Sequence, residues 1–310
     1  MKKSTTLLVL AVVVIFSIAA YAIWLNDQNR IDRLIIAVQP TQNPVEIKEL
    51  SRDLADFLSR RIGLPVEIYV PTDYTGVIEG LRFKTVHLAL MGSWPAYLAV
   101  QRSGSELMLV EVRTVAVGDR VINATNYYSY WIVLKDSAYK SLEELRGKKV
   151  CFPSRVSSSG YLAPMAKLVE LGLIEKRGAS VDPEDFFGKG NVVFGGGYGQ
   201  CWEALRARQV DVTVMAGDVS YSLYTQAMSA SKVLESQGPL PSHGVVVIKD
   251  LPNDLKQRVK QAFLELSGPE HQYLMRRFVS SLFVGFEAKS AEEHFSALQK
   301  YITLTGFEFT

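Results

Sequence analysis

From Leu34 onward, short β-rich apolar runs alternate with helix-like ones, which leaves few fold classes open, because each strand is followed by a helix that can cover a sheet face. Leu34 to Val38 reads as a strand. Asn43-Pro44-Val45-Glu46 supplies an N-cap, a proline at the first helical position and a glutamate at the third, so a helix is expected up to about Ile62, where Gly63 stops it. Val66 to Val70 reads as a strand, Tyr74 to Phe83 as a helix, Val86 to Met91 as a strand and Pro95 to Arg102 as a helix. A strand from Leu107 to Val117 ends in Gly118-Asp119, and a second set follows. It contains the strand Tyr127 to Leu134, a capping box at Ser141-Leu142-Glu143-Glu144, the strand Val150 to Phe152 and a helix from Tyr161 to Leu171. The strand Asn191 to Phe194, a helix from about Cys201 to Ala207 and the strand Val210 to Met215 complete it. Pro239 to Pro241 and the apolar run Gly244 to Ile248 read as a return crossing, with closing helices at Pro252 to Leu266 and Ala291 to Tyr301. The expected architecture is α/β, with one lobe from 30–118 plus 250–310 and another from 119–249. Two crossings join them, and helix N-termini from both sheets point into the cleft between.

The lobes share a local likeness. Arg82 to Gly92 and Arg206 to Ala216 each join a helix end to an apolar strand with one polar residue, closing on Met and a small residue. Ahead of both lobes, Lys2-Lys3 precedes an uncharged stretch whose apolar heart is Leu7 to Ala20. Residues 1–29 are therefore expected to be a signal peptide or an N-terminal membrane anchor, with the rest of the chain exported. Ala20-Tyr21-Ala22 has the small-x-small form of a cleavage site, while the run to Leu25 is just long enough to span. Export would allow the only two cysteines, Cys151 and Cys201, to pair; both sit at apolar element edges, and free buried thiols are the favoured reading. The 34 basic and 32 acidic residues nearly cancel, so the chain lacks the electrostatic footprint a nucleic-acid binder needs.

The chemistry concentrates at Ser157-Ser158-Ser159-Gly160, between the strand ending at Phe152 and a helix. Hydroxyls and the unpaired N–H groups of a helix start converge there, and the helix dipole adds partial positive charge without any Lys or Arg. Capping alone needs one such residue, and three hydroxyls followed by glycine exceed that need. Anion binding is the expectation. Enzyme signatures are lacking: there is no metal-binding His pair at helical spacing, no CxxC, no phosphate-loop lysine motif and no nucleophile elbow. Gly195-Gly196-Gly197-Tyr198-Gly199 lacks the last glycine of a dinucleotide loop, since Gln200 stands there. No catalytic residue, cofactor or metal is expected.

Four segments together resemble the phosphate/phosphite/phosphonate-binding proteins of ABC importers: Tyr74 to Phe83, Tyr127-Tyr128-Ser129 with Lys135-Asp136-Ser137, the serine loop, and Gln209-Val210-Asp211-Val212. The likeness runs over roughly residues 34 to 287, in family order. It implies a type II periplasmic-binding-protein fold, a monomer that closes over a small phosphorus oxyanion and delivers it to a permease with its ATPase. It also implies ligand contacts from Ser157, Ser158 and Ser159, from Tyr74 in the other lobe and from Tyr127 on the crossing strand. For both tyrosines the plainer alternative is packing. Where many members have His after the paired glycine this chain has Tyr198, and where aminoalkylphosphonate binders place two carboxylates it has Asp218 and His243. Those departures imply phosphite, methylphosphonate or phosphate rather than an aminoethyl ligand, with Asp218 as a proton acceptor or a helix cap. The alternative role is a membrane-anchored sensing module that uses the same cleft to inform a partner.

Overall fold

The computed structural model describes residues 31–38, 51–69, 71, 74–117, 120–278 and 282–307. The apolar N-terminal run and the Asn43 capping box lie outside the described residues. Among those described, no helix is long and apolar enough to cross a membrane.

Among the described residues, twelve strands form two sheets. The first contains β1 (Leu34–Val38), β2 (Val66–Tyr69), β3 (Leu88–Met91), β4 (Glu106–Val117), β5 (Arg120–Ala124), β11 (Gly244–Val247) and β12 (Phe283–Glu287). The second contains β6 (Asn126–Leu134), β7 (Val150–Phe152), β8 (Val192–Phe194), β9 (Val212–Ala216) and β10 (Ser231–Pro241). Their central orders correspond: β2-β1-β3-β11-β4 in one and β8-β7-β9-β6-β10 in the other. In each, three parallel strands are followed by a strand running the other way, the one with which the chain enters the sheet from a crossing. Both β5 and β11 fall within the expected second lobe, 119–249, yet they pair in the first sheet, so the chain changes sheets at 124–126 and 241–244. The two crossings are bonded to each other, Ser242 N donating to Thr125 O at 2.9 Å.

The likeness of Arg82–Gly92 to Arg206–Ala216 has a structural counterpart. Each segment ends a helix (Tyr74–Arg82; Tyr198–Arg206) and leads into β3 or β9, strands that hold equivalent places in their sheets. Lys84 (φ 60°) and Arg208 (φ 57°) occupy matching turns, the only non-glycine residues with positive φ among those described. Each pairs with an aspartate just past the entering strand, Lys84 with Asp250 and Arg208 with Asp136. Those aspartates close matching runs, Val247-Ile248-Lys249-Asp250 and Val133-Leu134-Lys135-Asp136.

Central strands buried on both faces read as continuous apolar runs, as β3 and β9 do, every residue of each being buried. Among the described residues, the helices Glu184–Phe187, Tyr221–Ala230 and Gln272–Phe278 have no counterpart in the sequence expectations, and two expected elements differ in extent. The Ser141 capping box yields only a single 3₁₀ turn, Glu143–Leu145, because Gly147 (φ 74°) turns the chain into β7. The helix expected from Cys201 begins three residues earlier, at Tyr198, with Gly197 as its cap. The closing helix Ala291–Thr305 starts against the first lobe, where His294 Nε2 lies 3.1 Å from Ser242 O and Phe295 packs edge-on to Tyr97. Its far end reaches the second lobe, where Val181 N donates to Thr305 O and the Phe307 ring stacks on Tyr161 at 4.9 Å.

Candidate functional site

The serine loop opens with Ser157, whose side chain accepts from Gly160 N at 2.9 Å, the N-cap bond the sequence called for. A Cβ on Gly160 would stand 2.8 Å from Ser157 Oγ and 2.9 Å from Pro153 Cγ, so only glycine lets the cap close this tightly. The first turn, Ser158–Leu162, is π-helical, Leu162 N bonding to Ser157 O and Ala163 N to Ser158 O. Pro164, which has no N–H to give, stands in the first turn of the α-helix Ala163–Glu170 that follows.

Ser158 faces the other lobe. The helix Ser93–Ser103 begins opposite it, and both the Ser93 hydroxyl and the Trp94 N–H donate to Ser158 Oγ at 3.0 Å. Two helix N-termini, one from each lobe, thus converge on one hydroxyl oxygen, and both present partial positive charge there. Ser159 is held from the other side, accepting from Tyr127 Oη at 3.0 Å and lying 2.6 Å from Tyr198 Oη, which is also 3.3 Å from Ser157 Oγ. Tyr127 is buried on β6, and burial, then the Asp218 and Tyr198 charges, push its phenol well above the ordinary value, so it stays protonated as a donor. Tyr198 gains its position from the early helix start: Gly197 in extended conformation (φ 178°) puts it at the first helical residue.

The strand that leads to the serine loop and the helix that begins with Tyr198 are joined covalently. Cys151 on β7 and Cys201 form a disulfide, Cα atoms 5.4 Å apart, which overturns the expectation of free thiols. Edge position in each element was compatible with either state, and the sheet decides it by setting the helix directly over β7. Gly195 lies beneath the bridge, where a Cβ would come within 2.9 Å of both sulfurs.

Asp218 and His243 come together, through a residue the sequence reading passed over. Arg113 on β4 donates from Nη1 to Asp218 Oδ2 (2.9 Å) and from Nε to Glu111 Oε2 (2.6 Å), and its Nη2 lies 2.9 Å from His243 Nδ1. Burial raises the Asp218 carboxyl above its usual range despite Arg113, and burial with the adjacent guanidinium holds His243 well below its own. His243 is therefore neutral, accepting at Nδ1 and carrying its proton on Nε2. Tyr74 opens the helix Tyr74–Arg82, and its side chain lies outside the described residues. Ser93 had a visible signal, since it follows an apolar strand and a glycine and precedes Pro95, the same strand-turn-helix logic as the serine loop. Arg113 and Glu111 had a weaker one: two opposite charges at i and i+2 in an apolar strand share a face.

Over residues 36–294 the chain matches the family described as ABC transporter, phosphonate, periplasmic substrate-binding protein. The chain belongs to that family. The phosphate-import protein PhnD of Mycolicibacterium smegmatis is 31% identical over 152 residues, 49% of this chain and 46% of that protein. The phosphonates-binding periplasmic protein of Escherichia coli is 26% identical over 251 residues, 78% of this chain and 68% of that one. A solved binding protein component of an ABC phosphonate transporter from Pseudomonas aeruginosa superposes with a TM-score of 0.69 at 21% identity, over 88% of this chain and 86% of that one. The two sheets are those of the type II periplasmic-binding-protein fold, as the family likeness implied. For this family member the chemistry of the cleft is binding: its polar groups donate and accept, and the family is one of substrate-binding proteins.

Proposed function

We propose that this family member is the exported receptor of an ABC importer and holds a small phosphorus oxyanion between its two facing helix starts. The observation that carries this reading is the meeting of Ser93 O–H and Trp94 N–H with Ser158 Oγ, each at 3.0 Å across the lobes. These donors serve one another when the lobes are together. An oxyanion between them would accept from both lobes at once, so it would bind the closed arrangement more tightly than the open one and shift the population toward it. Ser157, Ser158 and Ser159 would donate from the second lobe, Ser93 and Trp94 from the first, and Tyr127 and Tyr198 would orient Ser159. Tyr74 is proposed as a further first-lobe donor, with Asp218 and His243 on the neighbouring wall. A ring of neutral donors at two helix starts suits an anion that must later be released, since no buried cation binds it directly.

The closed form would be read by a membrane permease and its ATPase, partners that the family description implies. The positively charged start and apolar run of residues 1–29 fit export, either as a removable signal peptide or as a retained anchor. N-terminal sequencing of protein recovered from its host distinguishes the two.

Calorimetric titration with phosphite, methylphosphonate, phosphate and sulfate tests the binding role. One phosphorus ligand should bind tightly, and Ser158→Ala and Ser159→Ala should each weaken it by about 1–3 kcal/mol, the cost of an acceptor left unpaired in a buried site. Absence of heat with every phosphorus ligand, or unchanged affinity in both variants, would remove the assignment.

A further inference from the structure

Arg113 is buried (3% exposed) and engaged on three sides, by Glu111 from its own strand face, by His243, and by Asp218, which reaches across from the second lobe. Glu111 is 1% exposed, and its second oxygen, Oε1, has no hydrogen-bond partner. The cluster adjoins the serine loop: Tyr127, which donates to Ser159, lies in the field of both Asp218 and Arg113. Resting on the receptor reading above, we propose that Arg113 determines which substituent the bound oxyanion can carry, admitting small uncharged groups and excluding a cationic one.

The reasoning is electrostatic. Two buried carboxylates, one from each lobe, beside an anion cradle would be a ready site for an ammonium group on the ligand's substituent. Arg113 already occupies both with charge-assisted hydrogen bonds, and a guanidinium cannot discharge itself by losing a proton. An incoming ammonium would have to sit against that fixed cation, or displace it and leave it buried and unpaired. His243 offers no relief, because its Nδ1 faces Arg113 and its other nitrogen carries the proton. With Arg113 present, one cation offsets one of the two carboxylates. Without it, a ligand that carries its own ammonium could supply the missing cation to the two carboxylates, whereas beside a plain dianion they would stay ionised only at a cost or take up a proton.

The test compares methylphosphonate with 2-aminoethylphosphonate by calorimetry on the wild type, Arg113→Met, Arg113→Lys and Arg113→Met/Asp218→Asn. The wild type should prefer methylphosphonate by about tenfold or more, and Arg113→Met should move the ratio toward 2-aminoethylphosphonate by at least about tenfold. The second substitution should cancel that gain, while Arg113→Lys, which keeps the cation, should retain the wild-type order. Should Arg113→Met fail to fold, the wild-type ratio and Arg113→Lys decide the matter. A wild type that binds 2-aminoethylphosphonate as tightly as methylphosphonate, or a folded Arg113→Met with an unchanged ratio, overturns the role of Arg113 and leaves the receptor reading standing. A wild type that binds neither these nor phosphate or phosphite overturns both.

Discussion

Replacing both cysteines, Cys151→Ala with Cys201→Ala, should destabilise the second lobe by an amount set mainly by chain entropy. The bridge closes a loop of 50 residues. On the loop-closure model, freeing that loop returns about 14 cal/mol/K to the unfolded chain, or about 4 kcal/mol at room temperature. Both sulfurs are buried, Cys151 at 1% and Cys201 at 0% exposure, so the small cavities left by alanine add to the loss. Trp131 and Trp202 both lie in this lobe and Trp94 in the first, so urea unfolding followed by tryptophan fluorescence in a Trp94→Phe background reports chiefly on the second lobe. The variant midpoint should fall well below that of the wild type. A second consequence separates the bridge from generic destabilisation. It ties the strand before the serine loop to the helix that starts with Tyr198, so ligand affinity should also fall in conditions where the variant remains folded. Two thiols titrating in urea without reductant, or a stability loss under about 1 kcal/mol, would refute the reasoning.

His294 takes its proton only at about 4, because burial disfavours its charged form. Its folded value lies below the unfolded 6.5, so stability is intact above pH 6.5, falls as pH drops through that window and has lost about 3 kcal/mol below pH 4. His294→Gln, which can still donate to the Ser242 carbonyl, should flatten that part of the profile in chemical unfolding at pH 7, 5.5 and 4.5. Gly306 and Gly104 have nearly the same positive φ, 68° and 67°, but a Cβ would stand 1.9 Å from Ala179 O at the first and meet nothing within 4 Å at the second. Gly104→Ala should therefore cost about 1 kcal/mol, from backbone strain alone, and Gly306→Ala clearly more, as read by thermal melting. Equal losses would mean that the C-terminal turn yields to accommodate the methyl.

The serine loop and its capping pattern were legible because the relevant neighbours are three residues apart, as Ser157 and Gly160 are. The alternation of strands and helices was legible for the same reason. Contacts that define the cleft depend on distant partners: Ser93 and Ser158 are 65 residues apart, Arg113 and Asp218 105, Arg113 and His243 130. Sequence shows that Arg113 and Glu111 share a face of β4 but not what that face meets, so Asp218 and His243 were read without the guanidinium between them. The lobe limits slipped for a related reason. β11 is a short apolar run near a crossing, and hydrophobic pattern identifies a strand without naming the sheet it joins, whereas β5, with Arg120 and Asn123 and four of its five residues exposed, carries little hydrophobic signal at all.

The second sheet is drawn entirely from residues 126–241, whereas the first needs β11 and β12, which come after it in the chain. As the polypeptide emerges from its N-terminus, the lobe synthesised later is the one whose strands are all available first. The earlier lobe must wait, with β3 and β4 lacking the strand that lies between them, until residue 247 has emerged. A segment spanning 126–241 is accordingly the piece of this chain best placed to gain native-like structure during biogenesis, and the gap between β3 and β4 is where a partly made molecule would be open to chaperones or to pairing with a wrong strand.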